Sequence, residues 1–329
     1  MSIQTAMQLM AARAQLRRVP LILEYELTHL CNLRCSYCDR HTPQPGELTE
    51  AQIFQVLEEF HALGTRYVSL DGGEPLAHPA FDAIVAWLDE RGMRIHVNSN
   101  GSLVRRHLDA LRRVRLLKIS LDGPPSAHDE MRGDGAFERA RRGIFAAREA
   151  GIAVELRCVI GAHNHRQVDA LLDLIESWKL GLGIMFQPAR SSLFSGAEGS
   201  QPWLLQRSDV ARALQRIEAR KRAGSPVANR WGSLRHFRSF PRDTELPCAA
   251  GWIKATLDPS GNLYHCGMIA RVPDPRRNVI QVGARAAFAA LVPEGCGQCW
   301  CARAVEGNQA WGGKLISLLR PPPSAATEH

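Results

Sequence analysis

Three cysteines lie close together near the start of the chain, at Cys31, Cys35 and Cys38. Thiolates are preferred ligands of soft metals and of iron–sulfur clusters. One loop with three of them can hold three irons of a cubane [4Fe–4S] cluster, and the fourth iron then keeps an open position for a small chelating ligand. A structural zinc site usually has two pairs that supply four closed ligands, so this spacing fits zinc poorly.

A second group of cysteines lies near the end of the chain, at Cys248, Cys266, Cys296, Cys299 and Cys301. The segment 258–261, Asp-Pro-Ser-Gly, separates two alternating apolar runs and predicts a β-hairpin. A hairpin brings its two ends together, so Cys248 and Cys266 are expected to be neighbours of each other, and the Cys296-x-x-Cys299 pair can supply two more ligands. Four thiolates form a closed site for either Zn²⁺ or an iron–sulfur cluster, and the ligand count does not choose between them.

Short apolar runs alternate with amphipathic segments between residues 21 and 188. The runs predict strands at 21–27, 67–70, 94–97, 116–121, 154–160 and 183–187. The segments predict helices near 49–63, 80–91, 104–112, 136–150 and 167–178. This alternation indicates an α/β fold with a parallel sheet and right-handed crossovers. We expect a partial (β/α)6 TIM-like barrel, with an open doubly wound sheet as the alternative.

Glycine-rich turns follow the predicted strands. They occur at 71–75 (Asp-Gly-Gly-Glu-Pro), 98–101 (Asn-Ser-Asn-Gly) and 120–123 (Ser-Leu-Asp-Gly). Parallel strands place their carboxyl-terminal loops on one face, where folds of this kind have their sites. We therefore expect these turns to lie beside the first cysteine group, which follows the first strand.

With these motifs, residues 21 to 188 resemble the radical S-adenosylmethionine (radical SAM) superfamily. The resemblance implies that Cys31, Cys35 and Cys38 hold a catalytic [4Fe–4S] cluster. It also implies that an external donor such as flavodoxin or ferredoxin reduces the cluster, and that S-adenosyl-L-methionine is cleaved to a 5′-deoxyadenosyl radical that abstracts hydrogen. The implied cofactor-binding residues are Tyr37, Gly72, Gly73, Glu74, Pro75, Asn100, Ser120, Asp122 and Arg132.

The second cysteine group resembles the shortened auxiliary-cluster module, or twitch domain, of the SPASM group. The resemblance implies one auxiliary [4Fe–4S] cluster fully ligated by Cys248, Cys266, Cys296 and Cys299. A closed cluster suits electron transfer and would accept the electron left on a substrate radical. Cys301 departs from the pattern; it either replaces a ligand or is a bystander, and we expect a bystander.

Alternation along the strands indicates which side chains face the barrel lumen. Glu155 and Arg157 share one face of the fifth strand, and the opposite face must meet apolar helices. Together with Gln187 they are lumen candidates for contact with cofactor or substrate, although the sequence assigns no catalytic residue. The same alternation pairs further side chains on one face: Glu24 with Glu26, for which edge exposure is the alternative, and Lys118 with Ser120.

Composition limits the class of protein. Hydrophobic residues make up 45% of the chain and charged residues 22%, which is typical of a globular protein. No apolar run of about 18 residues predicts a membrane span, and we expect a cytoplasmic location. We interpret the formal charge of +8 as a contribution to solubility. The basic clusters lack interleaved aromatic residues, which argues against a nucleic-acid surface. Cys158 stands alone in an apolar run and is expected in the core.

We divide the chain into five segments: an N-terminal helix (1–20), the radical SAM core (21–190), a linker with a basic helix near 208–223 (191–246), the auxiliary module (247–307) and a tail (308–329). The leading functional hypothesis is an oxidoreductase that acts on a small biosynthetic molecule. The alternative is modification of a peptide by crosslink, thioether or oxidation. Many peptide-modifying enzymes of the family that the chain resembles carry an extra N-terminal peptide-recognition domain. Only thirty residues precede Cys31, which is too few for such a domain and favours the small molecule. A non-catalytic metal-binding module and a nucleic-acid-modifying enzyme are the other hypotheses.

Overall fold

The computed structural model describes residues 10, 12, 14, 17–38, 46–189, 201–242, 245–267, 272–293, 296–297 and 299–313. The first half of the chain forms six parallel strands in the order β6-β5-β4-β3-β2-β1. They are β1 (Ile22–Thr28), β2 (Tyr67–Gly72), β3 (Arg94–Ser99), β4 (Leu116–Ser120), β5 (Val154–Ile160) and β6 (Gly183–Pro188). All six predicted strands are present within a few residues, and the α/β prediction is confirmed.

Helices connect consecutive strands on the outer side of the sheet. They are α1 (Glu50–Leu63), α2 (Phe81–Glu90), α3 (Leu108–Leu111), α4 (Pro125–Arg132), α5 (Ala136–Glu149) and α6 (Val168–Ser177). Helix α1 begins at a capping box of Thr49 and Gln52, and Gly64 ends it in the left-handed conformation (φ 108°). Apolar strand residues such as Leu23 and Leu70 are fully buried in one core with residues of these helices.

Helix α4 was not predicted as a helix. Pro125 occupies a position in its first turn that needs no amide donor, and Gly133 follows its last residue. The helix is short and carries mostly polar residues, so its apolar periodicity is weak. It places Arg132 in the buried interior, where the residue is 8% exposed.

The second half of the chain contains the remaining elements. They are α7 (Arg207–Arg222), α8 (Trp231–Phe237), β7 (Lys254–Leu257), β8 (Leu263–Tyr264), α9 (Val279–Ala289) and α10 (Ala302–Trp311). The predicted basic helix is α7. Residues 224–247 were expected to be irregular, but α8 forms there because Leu234 and Phe237 are buried in the main core. Helix α10 continues to Trp311, beyond the predicted start of the tail at 308.

The C-terminal hairpin is joined directly to the barrel sheet. Strands β7 and β8 pair antiparallel around the turn at Gly261 (φ 85°), as expected from the turn sequence. Strand β7 also pairs parallel with β1, with Lys254 opposite Ile22 and Thr256 opposite Glu24. The sheet therefore has eight strands in the described residues, and its lumen receives side chains from the C-terminal half.

Several expectations fall outside the described residues. They concern most of the N-terminal helix at 1–20, the segment 190–200 and the chain after residue 313. In the part of the chain that the structure describes, no helix combines the length and apolar character needed to cross a membrane.

Candidate functional site

The first cysteine group lies in the loop that leaves β1. The hydroxyl of Thr28 accepts the amide of Leu30 (2.9 Å), and the amide of His29 donates to the carboxylate of Glu47 (2.6 Å). Farther along the loop, the amide of Ser36 donates to the carbonyl of Met131 in α4 (2.9 Å). Hydrogen bonds therefore hold the loop just before Cys31 and again between Cys35 and Cys38.

All three thiols line one cavity. Cys35 is 9% exposed, and Cys31 and Cys38 are half-buried. Burial raises the pKa of the Cys35 thiol, although the charge of Arg132 opposes this shift. Buried thiols of this kind need a cationic partner to become thiolates, and a metal cluster supplies one.

The donor set fits a cubane better than a single ion. Among the described residues, no three His, Cys, Asp or Glu side chains converge as the ligands of one metal ion do. In a cubane each thiolate binds a different iron, so the ligands stand farther apart than around one ion. Cys31, Cys35 and Cys38 supply three such thiols from one cavity wall.

Gly72 and Gly73 pack the end of β2 against the cysteine loop. A β-carbon on Gly73 would clash with the carbonyl of Leu30, and one on Gly72 would lie 2.6 Å from the carbonyl of Thr28. The same backbone segments are hydrogen-bonded, since the amide of Gly73 donates to Thr28 (2.8 Å). Both glycines also line the cavity. They are therefore needed for close packing of the loop as well as for access to a ligand.

Glu74 lies behind the cavity wall. Its carboxylate accepts hydrogen bonds from the Ser99 hydroxyl (2.8 Å) and from the amides of Asn100 (2.7 Å) and Leu76 (3.2 Å). The residue is 1% exposed, and burial raises its pKa to about 7. Glu74 thus holds the ends of β2 and β3 together, and neither it nor the buried Pro75 lines the cavity.

A buried ion pair fixes two of the lining side chains. Arg132 Nε donates to Asp122 Oδ2 (2.6 Å), the Tyr37 hydroxyl donates to the same oxygen (3.0 Å), and Arg132 also contacts that hydroxyl. The amide of Val159 donates to Asp122 Oδ1 (2.9 Å). Burial would raise the pKa of Asp122, but the charge of Arg132 holds it below its usual value. Tyr37 and Arg132 line the cavity, whereas Asp122 is fully buried behind them.

Asn100 and Ser120 also line the cavity, at the ends of β3 and β4. The Asn100 side chain donates to Asn32 Oδ1 (2.8 Å) and accepts from the Ser102 hydroxyl (2.6 Å). Of the nine residues expected to bind the cofactor, six line the cavity: Tyr37, Gly72, Gly73, Asn100, Ser120 and Arg132. The other three pack behind it: Glu74, Pro75 and Asp122.

The three lumen candidates lie on β5 and β6. Arg157 and Gln187 line the cavity, and Glu155 forms ion pairs at its edge with Arg157 (2.6 Å) and Arg303 of α10 (2.9 Å). The side-chain oxygen of Gln187 accepts the amide of Ala302, also in α10 (3.3 Å). The C-terminal helix therefore caps this side of the barrel.

Strands β1, β2 and β4 carry further charged residues into the cavity. Glu24 forms an ion pair with Lys254 (2.6 Å) and accepts the Thr256 hydroxyl (3.1 Å). Asp71 accepts a hydrogen bond from Asn98, and burial raises its pKa to about 6. Burial lowers the pKa of Lys118 to about 8. The lumen is thus strongly polar, in contrast to the apolar outer face of the same strands.

Four cysteines of the second group lie near one another. The side-chain amide of Asn308 is 3.6 Å from Cys299 Sγ and 4.0 Å from Cys248 Sγ. Burial raises the pKa of Cys299. The neighbouring thiols of Cys301, Cys266 and Cys248 raise it further, and Cys301 has the largest effect of the three. Cys296, which was expected as a ligand, is exposed, whereas Cys301, expected as a bystander, lines the cavity. None of the nine cysteines, all of which lie in the described residues, forms a disulfide.

One cavity extends from the first cysteine group to Cys301 of the second group. Its volume is about 360 Å³, and its wall runs from the first cysteine loop past β4 and β5 to Cys301 and Arg303. That size is within the range of small-molecule sites. The sequence analysis did not single out several lining residues, and those from the C-terminal half are Lys254, Thr256, Gly267, Arg303 and Ala304. The charge of Lys254 inside an apolar run was their only signal, and nothing in the sequence indicates that β7 joins β1.

Comparison with known proteins agrees with this geometry. Residues 25–175 match the model of the radical SAM superfamily. The chain is 31% identical over 166 residues to the Fe-coproporphyrin III synthase of Methanosarcina barkeri, a match that covers 48% of this chain and 42% of the relative. It is 29% identical over 268 residues to the PqqA peptide cyclase of Methylorubrum extorquens, with 77% of this chain and 67% of the relative covered.

A solved structure shows the same fold. Native anSMEcpe with bound AdoMet superposes with a TM-score of 0.64 at 17% identity, covering 81% of this chain and 79% of that one. The matched segment spans less than half of the Fe-coproporphyrin III synthase, so that relative supports the core alone. The cysteine loop and the glycine turns beside it lie within the matched segment, and together with the family match they identify residues 25–175 as a radical SAM domain.

Proposed function

We propose that the chain is an oxidoreductase that removes hydrogen from a substrate held in the barrel cavity and passes the remaining electron to an auxiliary cluster. The observation that carries the proposal is a cavity bordered by Cys31, Cys35 and Cys38 at one end and by Cys301, a neighbour of Cys299, at the other. An electron acceptor at the far end of a substrate cavity suits a net oxidation, because hydrogen-atom removal leaves one further electron and one proton to be released.

When bound, the [4Fe–4S] cluster and S-adenosylmethionine supply a 5′-deoxyadenosyl radical after one-electron reduction by an external donor such as flavodoxin or ferredoxin. Cys31, Cys35 and Cys38 would hold this cluster. Tyr37 and Arg132, fixed by Asp122, would hold the cofactor beside it, and the Gly72-Gly73 turn would let it approach the backbone. The walls of the lumen would limit the access of water to the reactive intermediate.

The proposed ligands of the auxiliary cluster are Cys248, Cys266, Cys296 and Cys299. The cluster would lie next to Lys254, whose positive charge favours thiolates. Burial lowers the pKa of this lysine, but Glu24 and then Cys266 together raise it by more. Asn308 would donate to the sulfur ligands, a contact that tunes cluster potential.

We propose a small biosynthetic molecule as the substrate, held among the charged side chains of the lumen. A second candidate is modification of a peptide. The match to the PqqA peptide cyclase favours it, because that match extends over 77% of this chain and is therefore longer than the radical SAM segment alone.

The proposal is tested by anaerobic reconstitution followed by iron and sulfide analysis and an assay for 5′-deoxyadenosine. Two clusters require about eight irons per chain. Reduction with dithionite in the presence of S-adenosylmethionine should yield 5′-deoxyadenosine, and Cys35→Ala should abolish it. About four irons with zinc in the unaltered protein would contradict the electron-acceptor role. If Cys35→Ala kept both its iron content and its cleavage of S-adenosylmethionine, the assignment of the first cluster to Cys31, Cys35 and Cys38 would be contradicted.

A further inference from the structure

A buried lysine lies in the middle of β4 and lines the cavity. Lys118 is 5% exposed. Within the described residues its ammonium group makes no hydrogen bond and no ion pair, although Asp71 is close enough to favour its charge. The nitrogen is not among the fully buried atoms that lack a partner, so it faces the cavity, where the surrounding strands desolvate its charge without providing a direct counter-ion. Such a group is expected where a ligand completes its surroundings.

The neighbouring strand carries a second cation with unused donors. Arg157 on β5 has two buried nitrogen atoms, Nε and Nη2, without a hydrogen-bond partner in the described residues. Its Nη2 lies 2.6 Å from Glu155 Oε1, which makes an ion pair but not a directed hydrogen bond. Because Arg303 contacts the same oxygen (2.9 Å), two guanidinium groups share one carboxylate. Lys118, Arg157 and Arg303 form what we call the basic wall.

The acidic residues across the lumen are better satisfied. Glu24 is paired with Lys254 and accepts the hydroxyl of Thr256, and Asp71 accepts the amide of Asn98. The protein itself therefore supplies partners for these carboxylates. Since unused hydrogen-bonding capacity is concentrated on the basic wall, the missing ligand is an anion rather than a cation.

We propose that Lys118 and Arg157 bind a carboxylate group of the substrate. This inference rests on the proposed function, because the site is in the same cavity. A guanidinium binds a carboxylate through two parallel hydrogen bonds, and an ammonium adds a point charge to either oxygen. A small organic acid and the carboxylate end of a peptide share this chemistry.

The strand register adds a prediction about the reacting carbon. Lys118 precedes Ser120, at the carboxyl end of β4, by two residues, which is about 7 Å along the strand. A carboxylate at Lys118 would direct the rest of the molecule toward the loop of Cys31, Cys35 and Cys38. The hydrogen that is removed should then belong to a carbon only a few bonds from the carboxylate.

The test measures carboxylate preference by anaerobic calorimetry on the reconstituted protein. The probes are a panel of small aliphatic and aromatic acids, each with its primary amide, and short peptides with free or amidated C-termini. At least one acid should bind ten-fold or more tightly than its amide. Lys118→Met should remove this preference, Lys118→Arg should keep part of it, and Lys179→Met, which changes an exposed lysine, should leave it intact. Preference confined to free peptides would identify the peptide as the source.

The inference is overturned if no acid binds more tightly than its amide, or if Lys118→Met and Lys118→Arg both keep the full preference. Circular dichroism and iron content of each variant show that the comparison is made on folded protein. Cleavage of S-adenosylmethionine by the unaltered protein is measured in parallel. Cleavage without an acid preference overturns this inference alone, whereas absence of cleavage overturns the proposed function.

Discussion

Lys254 Nζ lies 2.6 Å from Glu24 Oε1, and this ion pair joins the C-terminal hairpin to the first strand of the barrel. The side chain of Lys254 is 15% exposed and that of Glu24 is 29% exposed, so water screens the pair only in part. The pair forms because β7 lies parallel to β1, with Thr256 opposite Glu24. A carboxylate from the N-terminal half of the chain and an ammonium from the C-terminal half thus form an ion pair inside the lumen.

Lys254→Met should destabilise the protein, because it leaves the Glu24 carboxylate without its cation. We expect a loss of about 1–3 kcal/mol, measured by thermal or chemical denaturation of the reconstituted protein. The double variant Lys254→Met/Glu24→Gln should recover part of the loss, since no unpaired charge remains. Equal stability of Lys254→Met and the unaltered protein would contradict a structural role for this pair.

Gly73→Ala should lower the iron content of the first cluster. The added β-carbon meets the carbonyl of Leu30, so the cysteine loop must shift, at a cost of about 1–3 kcal/mol. The matched control is Gly307→Ala in α10, where a β-carbon meets open space. Iron and sulfide analysis after reconstitution distinguishes the two. An unchanged iron content in Gly73→Ala would show that the packing of the loop tolerates the shift.

Cys296→Ala and Cys301→Ala should differ in iron content. If the auxiliary ligands are Cys248, Cys266, Cys296 and Cys299, the first variant should fall from about eight irons to about four. The second should keep about eight. The reverse result would assign the fourth ligand to Cys301, which lies beside Cys299 and lines the cavity.

Lys118 should make stability depend on pH in the alkaline range. Burial lowers its pKa from 10.5 to about 8, so between these values the unfolded chain binds more protons than the folded protein. Stability from this residue therefore rises with pH across that window, by at most about 1.4 kcal/mol per unit. The groups acting on it are Asp71 and Glu24 on β1–β2, Arg157 on β5 and Arg303 on α10.

Denaturation of the unaltered protein and of Lys118→Met at pH 8 to 10.5 measures this contribution. The difference between them should grow in favour of the unaltered protein as pH rises. Other titrating groups are common to both proteins and cancel. A difference that is flat with pH, or that moves in the opposite direction, would contradict a buried lysine that loses its proton in this window.

The sequence alone determined the barrel strands and the first cysteine site. Buried parallel strands read as apolar runs and glycines punctuate their ends, so local pattern is sufficient for β1 to β6. The spacing of Cys31, Cys35 and Cys38 likewise belongs to one loop and needs no distant contact. Helices α4 and α8 were missed, because tertiary burial of a few residues outweighs their weak periodicity.

Tertiary structure decided what the lumen contains. Parallel pairing of β7 with β1 is a contact between residues more than 200 positions apart, and no local pattern encodes it. That pairing brings Lys254 opposite Glu24, and the docking of α10 brings Arg303 to Glu155 and Cys301 to the cavity. The charge balance around Lys118 depends on these long-range contacts. The sequence specifies the type of each side chain, but the partners of a buried charge depend on long-range contacts that form only in the folded protein.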